Sequence, residues 1–277
     1  MHIIETRKLC YRYPDGTAAL SGVDLIVQRG EAVAVLGANG AGKTTLLKHL
    51  NGLLTPTSGK VLVAGEEITK HNLLWVRRLV GLVFQNPEEQ LFAPSVAEDV
   101  AFGPRNLGLS EDVVHHRVEE ALRLVGMQGY EQRAPHHLSY GEKKRVAIAG
   151  VLAMEPQVMV LDEPTSGLDP AGAEELVSLL HRLRRLGLSL VVATHDVDLV
   201  PELADRVYLL HEGRVVAAGT AEEVFAEPAS LEKCHLRLPC AARLLAMLRE
   251  MGFEVEIKLT AGEAAKEVAR HLGDIRG

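Results

Sequence analysis

Residues 37–45 read Gly-Ala-Asn-Gly-Ala-Gly-Lys-Thr-Thr and fit G-x-x-x-x-G-K-[ST], with Gly37, Gly42, Lys43 and Thr44 at the fixed positions. The chemistry this spacing serves is the grip on a polyphosphate. Glycines let the backbone curl closely, so that its N–H groups and a following helix N-terminus face an anion. Lys43 brings a point charge to the β- and γ-phosphates, and the Thr44 hydroxyl can ligate Mg²⁺. Asn39, Gly40 and Thr45 complete the expected nucleotide-binding loop.

Other groups with the right chemistry follow apolar runs. Val158-Met159-Val160-Leu161-Asp162-Glu163 ends in two carboxylates. Asp162 can reach the shell of a metal held by Thr44, and Glu163 can polarise a water for attack on a γ-phosphate. The alternative is that the pair caps a following helix. His195 follows Leu190–Thr194; a lone histidine is more often structural, but a strand end can turn it into the site. Gln85 follows Val80–Phe84, and its neutral amide can bond both a metal-bound water and a phosphate. A fourth stretch, Leu138-Ser139-Tyr140-Gly141-Glu142-Lys143-Lys144-Arg145, carries the Ser-x-x-Glu pattern of a capped helix start. It reads either as a capped surface helix or as a phosphate-binding helix N-terminus. Lys143, Lys144 and Arg145 are expected to form a solvated face, as are the His-His pairs at 115–116 and 136–137.

These groups need a scaffold that collects strand ends. Runs at 31–37, 61–65, 80–84, 158–162 and 188–194 are apolar on both faces, as strands of a buried parallel sheet are. Helical stretches at 43–53 and 171–187 alternate with them, so the expected fold class is α/β. In open α/β sheets, ligands bind at the strands' carboxyl ends. Strand signals fade from about 86 to 155, where 111–126 and the residues after Ser139 are helical. Helical text returns near 222, and 254–272 reads as a strand followed by a helix.

Bulk properties exclude other classes. Hydrophobic residues at 47% and charged residues at 24% exclude a disordered chain. A net charge of −7 with no basic run argues against a nucleic-acid partner. Cys10, Cys234 and Cys240 are too few and odd in number for a disulfide framework, and fit a reducing cytosol. Cys234, His235 and Cys240 lack a fourth ligand and the spacing of a zinc site. The N-terminal residues have neither the apolar core nor the cleavage site of a secretory signal. No apolar run approaches the ~18–20 residues that cross a bilayer, so any membrane role is expected to need a partner.

Taken in order, the phosphate loop, Gln85, a helical insert with Leu-Ser-Tyr-Gly-Glu, Asp162-Glu163, Ser166-Gly167-Leu168-Asp169 and His195 resemble the ATP-binding cassette ATPases over residues 1–220. The resemblance implies a P-loop NTPase core at 1–221, a helical subdomain at about 86–155, and a C-terminal extension at 222–277 that helps hold two copies together. It implies ATP and Mg²⁺ as cofactors, with Thr44, Gln85 and Asp162 toward the metal. Glu163 is implied as general base, His195 as switch, and Gln85 as the link to a membrane partner. Tyr13 resembles the aromatic that stacks on adenine, with Tyr11 as the alternative register. Ser139 and Gly141 match the family's signature motif, which completes the site of a second subunit; Tyr140 and Glu142 depart from it. Asp169 lies in the loop that links the two sites. Residues 84–109 and the stretch from Leu138 to Pro156 resemble ATPases of energy-coupling-factor importers, closest to the cobalt/nickel branch. That implies a homodimer at the cytoplasmic face of a bacterial or archaeal membrane, with a coupling subunit and a substrate-capturing membrane protein. A vitamin-type importer with two unlike ATPases is the alternative; a non-transport cassette ATPase would demand long coiled-coil insertions or two cassettes in one chain, and this sequence carries neither.

Overall fold

The computed structural model describes residues 2–274. The chain opens with β1 (His2–Arg12) and β2 (Ala18–Gln28), which pair antiparallel through an irregular register. Next come β3 (Ala32–Leu36), buried at every residue, and α1 (Lys43–Leu50). Then follow β4 (Ser58–Val63), the short β5 (Glu66–Glu67), α2 (Leu73–Leu79) and β6 (Val80–Val83). Between β6 and the next strand lie α3 (Val96–Asn106), α4 (Glu111–Leu124) and α5 (Tyr140–Leu152). β7 (Val158–Asp162), α6 (Pro170–Arg185), β8 (Ser189–Thr194) and α7 (Val200–Leu203) return the chain to α/β alternation. The hairpin of β9 (Arg206–His211) and β10 (Arg214–Gly219) precedes α8 (Ala221–Phe225), α9 (Pro228–Lys233), α10 (Cys240–Glu250) and α11 (Ala261–Asp274).

Two sheets result. The larger has the order β10-β9-β3-β8-β7-β6, parallel except for β10. Its register aligns the strand ends: Leu36 pairs with Thr194, Asp162 with Ala193, and Val83 with Leu161. The residues that follow these strands therefore emerge along one edge. The smaller sheet, β2-β1-β4-β5, is antiparallel. Helix α1 lies between the sheets, and Leu46, Leu47 and Leu50 are fully buried against Val35, Val160 and Val191 of one and Ile4 and Val63 of the other. Burying one such leucine contributes roughly 1.5–3 kcal/mol, so the helix behind residues 37–45 is firmly seated. A second core joins α3, α4 and α5 to β7 and α6 through Val100, Leu122, Ile148, Leu161 and Leu180.

Two expected elements differ. Residues 61–65 do not join the parallel sheet; β4 runs antiparallel to β1, with Ile4 opposite Val63. Val61 and Val63 are buried while Leu62 is half-buried, the alternation of a one-sided strand that three apolar residues in a row conceal. Residues 254–258 form no ladder among the described residues. They run outside helix and strand, and Val255 packs against α10 and α11. Residues 275–277 of the expected extension lie outside the described residues. Among the described residues, no helix is long and apolar enough to cross a membrane.

Candidate functional site

A cavity of about 810 Å³ opens where the strand ends emerge. Its floor is the 37–45 loop, contributing Asn39, Gly40 and Gly42 to Thr45, and its walls include Tyr13, Gln85, Asp162 and Glu163. Gly42 has φ 103°, and a Cβ there would sit 2.7 Å from the Ala19 carbonyl oxygen, so only glycine lets the loop enter α1. Gly37 is buried beneath, at the end of β3. Lys43 is 6% exposed; its Nζ donates to the carbonyls of Gly37 at 2.7 Å and Ala38 at 3.2 Å. The same ammonium lies 3.1 Å from Glu163 Oε1.

The two carboxylates differ in their surroundings. Asp162 Oδ2 accepts a hydrogen bond from Thr44 Oγ1 at 2.6 Å, while its buried Oδ1 has no partner. Burial is the largest influence on Asp162 and pushes its carboxyl up from the ordinary range; the Thr44 bond opposes it. A buried, unpartnered carboxylate oxygen beside a threonine hydroxyl suits a hard cation with oxygen ligands, so this donor set fits Mg²⁺. Glu163 Oε1 is 2.9 Å from His195 Nδ1. Its Oε2 accepts from Thr194 Oγ1 at 3.3 Å and from the His195 backbone N–H at 3.4 Å. These contacts to Lys43 and His195 place Oε1 in ion-pair range, though their angles fall short of hydrogen bonds. Glu163 also holds φ 44°, a left-handed conformation that costs a non-glycine residue about 1–3 kcal/mol and persists only where its neighbours enforce it.

One neighbour that does so is Lys144, and here the expected solvated face is corrected. Lys144 is 1% exposed, and its Nζ donates to the carbonyls of Glu163 at 3.0 Å and Ser166 at 3.2 Å. Burial lowers its pKa to about 8 against the opposing pull of Glu163 and Asp162, so the group still carries its proton at neutral pH. Lys143 and Arg145, on either side, pair with Glu88 and Glu175 nearer the surface.

The aromatic alternatives separate. Tyr13 lines the cavity and exchanges a 2.9 Å hydrogen bond with Thr45 Oγ1. Tyr11 packs edge-on against His49 and Tyr13, with ring centroids 4.7 and 4.9 Å away, as a core residue. Ser139, Gly141 and Asp169 do not line this cavity. Ser139 caps α5: its Oγ accepts from Glu142 N–H at 3.3 Å, and Glu142 Oε2 accepts from Ser139 N–H at 2.7 Å. Asp169 Oδ1 caps α6 by accepting from Gly172 N–H at 2.7 Å.

A family model of ABC transporters matches residues 20–166, more than half of the chain. The chain belongs to the ABC transporter ATPases. The energy-coupling factor transporter ATP-binding protein EcfA of Methanocaldococcus jannaschii is 52% identical over 275 residues, covering 98% of this chain and 99% of that protein. This ATPase is therefore of the energy-coupling-factor type. Among solved structures, cbiO1 from Clostridium perfringens, part of the ABC transporter complex cbiONQ, is 44% identical with a TM-score of 0.76; 90% of this chain and 99% of that one are covered. The dimeric ATP-binding cassette MJ0796 in a post-hydrolysis state with ADP and Pi is 28% identical with a TM-score of 0.72, covering 79% and 98%.

Sequence reasoning missed part of the ABC ATPase cavity. Thr17, Ala18 and Ala19, at the start of β2, and Glu212 and Gly213, in the β9–β10 turn, also line it. Gly213 stitches three segments together: its N–H donates to Ala41 O at 2.9 Å and its carbonyl accepts from Ser21 N–H at 2.8 Å. The available signal was Glu212-Gly213 between two apolar runs, which marks a hairpin but not what the hairpin touches.

Proposed function

We propose that this chain energises import of a metal ion, cobalt or nickel, as one of two identical ATPase subunits at the cytoplasmic face of a membrane. The observation that carries the ATPase chemistry is the meeting of Lys43, the Asp162–Thr44 pair and Glu163 on one cavity wall. The metal branch rests on the resemblance of residues 84–109 and 138–156 described above. It gains support from the likeness to cbiO1.

In this reading the 37–45 backbone and Lys43 hold the β- and γ-phosphates, and Tyr13 stacks on adenine. Thr44, Asp162 and Gln85 hold Mg²⁺, which neutralises charge on the phosphates when bound. Glu163 accepts a proton as a water oxygen attacks the γ-phosphorus, the bond to the β–γ bridging oxygen breaks, and ADP leaves. His195, in contact with Glu163, steadies that carboxylate. Ser139 and Gly141, at the N-terminus of α5, grip the γ-phosphate bound to a second copy, where the helix dipole favours an anion. Asp169 joins the two sites across the pair.

The membrane partner docks at an apolar groove of about 490 Å³ lined by Leu53, Leu74, Phe84, Phe92, Phe102 and Met154. Leu74, Phe92 and Phe102 are at least half exposed there. The ATPase body is assigned to 1–221, its helical subdomain to about 86–155, and pairing to 222–277. Leu244, Met247, Met251 and Phe253 leave an apolar surface on and just after α10 that a second copy covers.

The test is capture from native membranes with Glu163→Gln and Mg·ATP, followed by identification of the bound proteins and metal. A coupling subunit with a cobalt- or nickel-binding membrane protein supports the reading. A second, different cassette with a vitamin-capturing protein overturns the metal and keeps the mechanism. The cross-subunit role has its own test in Ser139→Asp. Aspartate is as good a helix cap as serine, so the chain should fold normally. Its charge should repel a γ-phosphate, so ATP binding by the monomer stays while ATP-driven pairing is lost on sedimentation. Pairing equal to the parent's would remove Ser139 from the phosphate.

A further inference from the structure

Lys144 takes no part in the steps above, yet it ranks among the largest fully buried side chains of the described molecule. Burying an ammonium is unfavourable unless hydrogen bonds compensate, and methionine would fill similar space without that penalty. The charge is explained by what it holds. Its two acceptors, the carbonyls of Glu163 and Ser166, bracket the turn that leaves β7. One turn of helix away, Tyr140 touches the same turn and reaches one more loop. Its hydroxyl donates to Gln85 O at 3.1 Å. Its ring lies so close to Gly167 that a Cβ there would be 2.7 Å from Tyr140 Cε1. The Lys144 ammonium itself stands 5.5 Å from the centre of that ring. The first turns of α5 are thus fastened to the loops after β6 and β7, both of which border the ATP cavity.

We propose that Lys144 is a positioning residue that fixes the Glu163–Ser166 turn to α5, so that the helix presenting Ser139 to one nucleotide moves together with the glutamate that serves the other. Tyr140 makes the same attachment to the Gln85 loop. The inference rests on the pairing of two copies proposed above. Coupling between two sites needs an element that both sites bias, and a buried charged clamp joining α5 to the glutamate turn is such an element. The clamp also explains how Glu163 keeps its left-handed backbone: the carbonyl of that residue is held from below while its N–H donates to Ala193 O at 2.9 Å.

The experiment compares the parent chain, Lys144→Met, Lys144→Gln and Tyr140→Phe by steady-state ATP hydrolysis. ATP affinity of the isolated monomers is measured alongside, and pairing is followed by sedimentation in the Glu163→Gln background. Lys144→Met should lower kcat about tenfold or more, with monomer ATP affinity within about twofold of the parent. Its Hill coefficient for ATP should fall toward one. Lys144→Gln keeps an N–H donor on a slightly shorter stem and should recover part of both kcat and the Hill coefficient. Tyr140→Phe loses only the hydroxyl and should lower the Hill coefficient even if Lys144→Met does not fold. The proposal is overturned if a folded Lys144→Met keeps the parent's kcat and Hill coefficient, or if Lys144→Gln and Lys144→Met lose both equally. A Tyr140→Phe chain with unchanged cooperativity, when Lys144→Met cannot be folded, also overturns it. A parent chain that never pairs would instead remove the pairing reading, which is a separate and recognisable failure.

Discussion

Glu163→Gln is expected to bind Mg·ATP at least as tightly as the parent and to hydrolyse it about 10²–10⁴-fold more slowly, the range that a positioned general base contributes. Glutamine matches the shape of glutamate, so the contacts of the side chain with Thr194 and His195 keep their places. What disappears is the ability to take a proton from the attacking water. The substitution also removes one negative charge from a buried wall where Asp162 already sits, which eases the approach of a triphosphate. Two effects then act together: ATP enters more readily and leaves the site more slowly. The paired state should accumulate with intact ATP, visible as a stable dimer on gel filtration in Mg·ATP. Turnover within a few-fold of the parent would show that another group receives the proton.

Lys43→Ala should act on binding rather than on chemistry. Hydrogen bonds to a charged group contribute about 1.5–3 kcal/mol, so loss of the ammonium should weaken ATP binding by roughly 10–100-fold. A second effect follows from the 3.1 Å contact with Glu163. Without Lys43, the 5% exposed Glu163 carboxylate loses the lysine ammonium beside its Oε1. The apo variant should therefore melt below the parent, because removing one partner of a buried ion pair leaves the other uncompensated. Calorimetry reads both effects: a weaker ATP isotherm and a melting temperature below the parent's. An unchanged ATP affinity would contradict the phosphate-loop reading.

The centre of the site was legible because parallel strands buried on both faces leave a plain trace. β3, β6, β7 and β8 are short apolar runs, and each stops at a group suited to phosphate or metal chemistry. Their order in space was not legible, nor was the antiparallel sheet. β1 and β2 carry charged residues and register shifts, with Lys8 in a left-handed conformation, so neither shows clean alternation. Lys144 was hidden by its neighbours. Within Lys-Lys-Arg nothing in composition singles out the middle residue. Helical spacing does: Lys144 stands four positions before Ile148 and seven before Val151, and both are buried. The face was readable, but the carbonyls that justify a cation on it come from β7's far end.

The turn at Gly213 has a consequence for which sequences can occupy this fold. A Cβ at that position would lie 2.4 Å from Ala19 O, with φ at 71°. The space accommodates no side chain, and the backbone disfavours one. Gly16, in the β1–β2 turn, shares a positive φ but has nothing within 4 Å of its missing Cβ. In a library randomised at both codons and selected for function, position 213 should return glycine alone, while position 16 should also return asparagine and aspartate, the residues that best tolerate a left-handed turn. A position with no reactive side chain is thus as restricted as the catalytic residues, because it lies where the two sheets close around the nucleotide cavity.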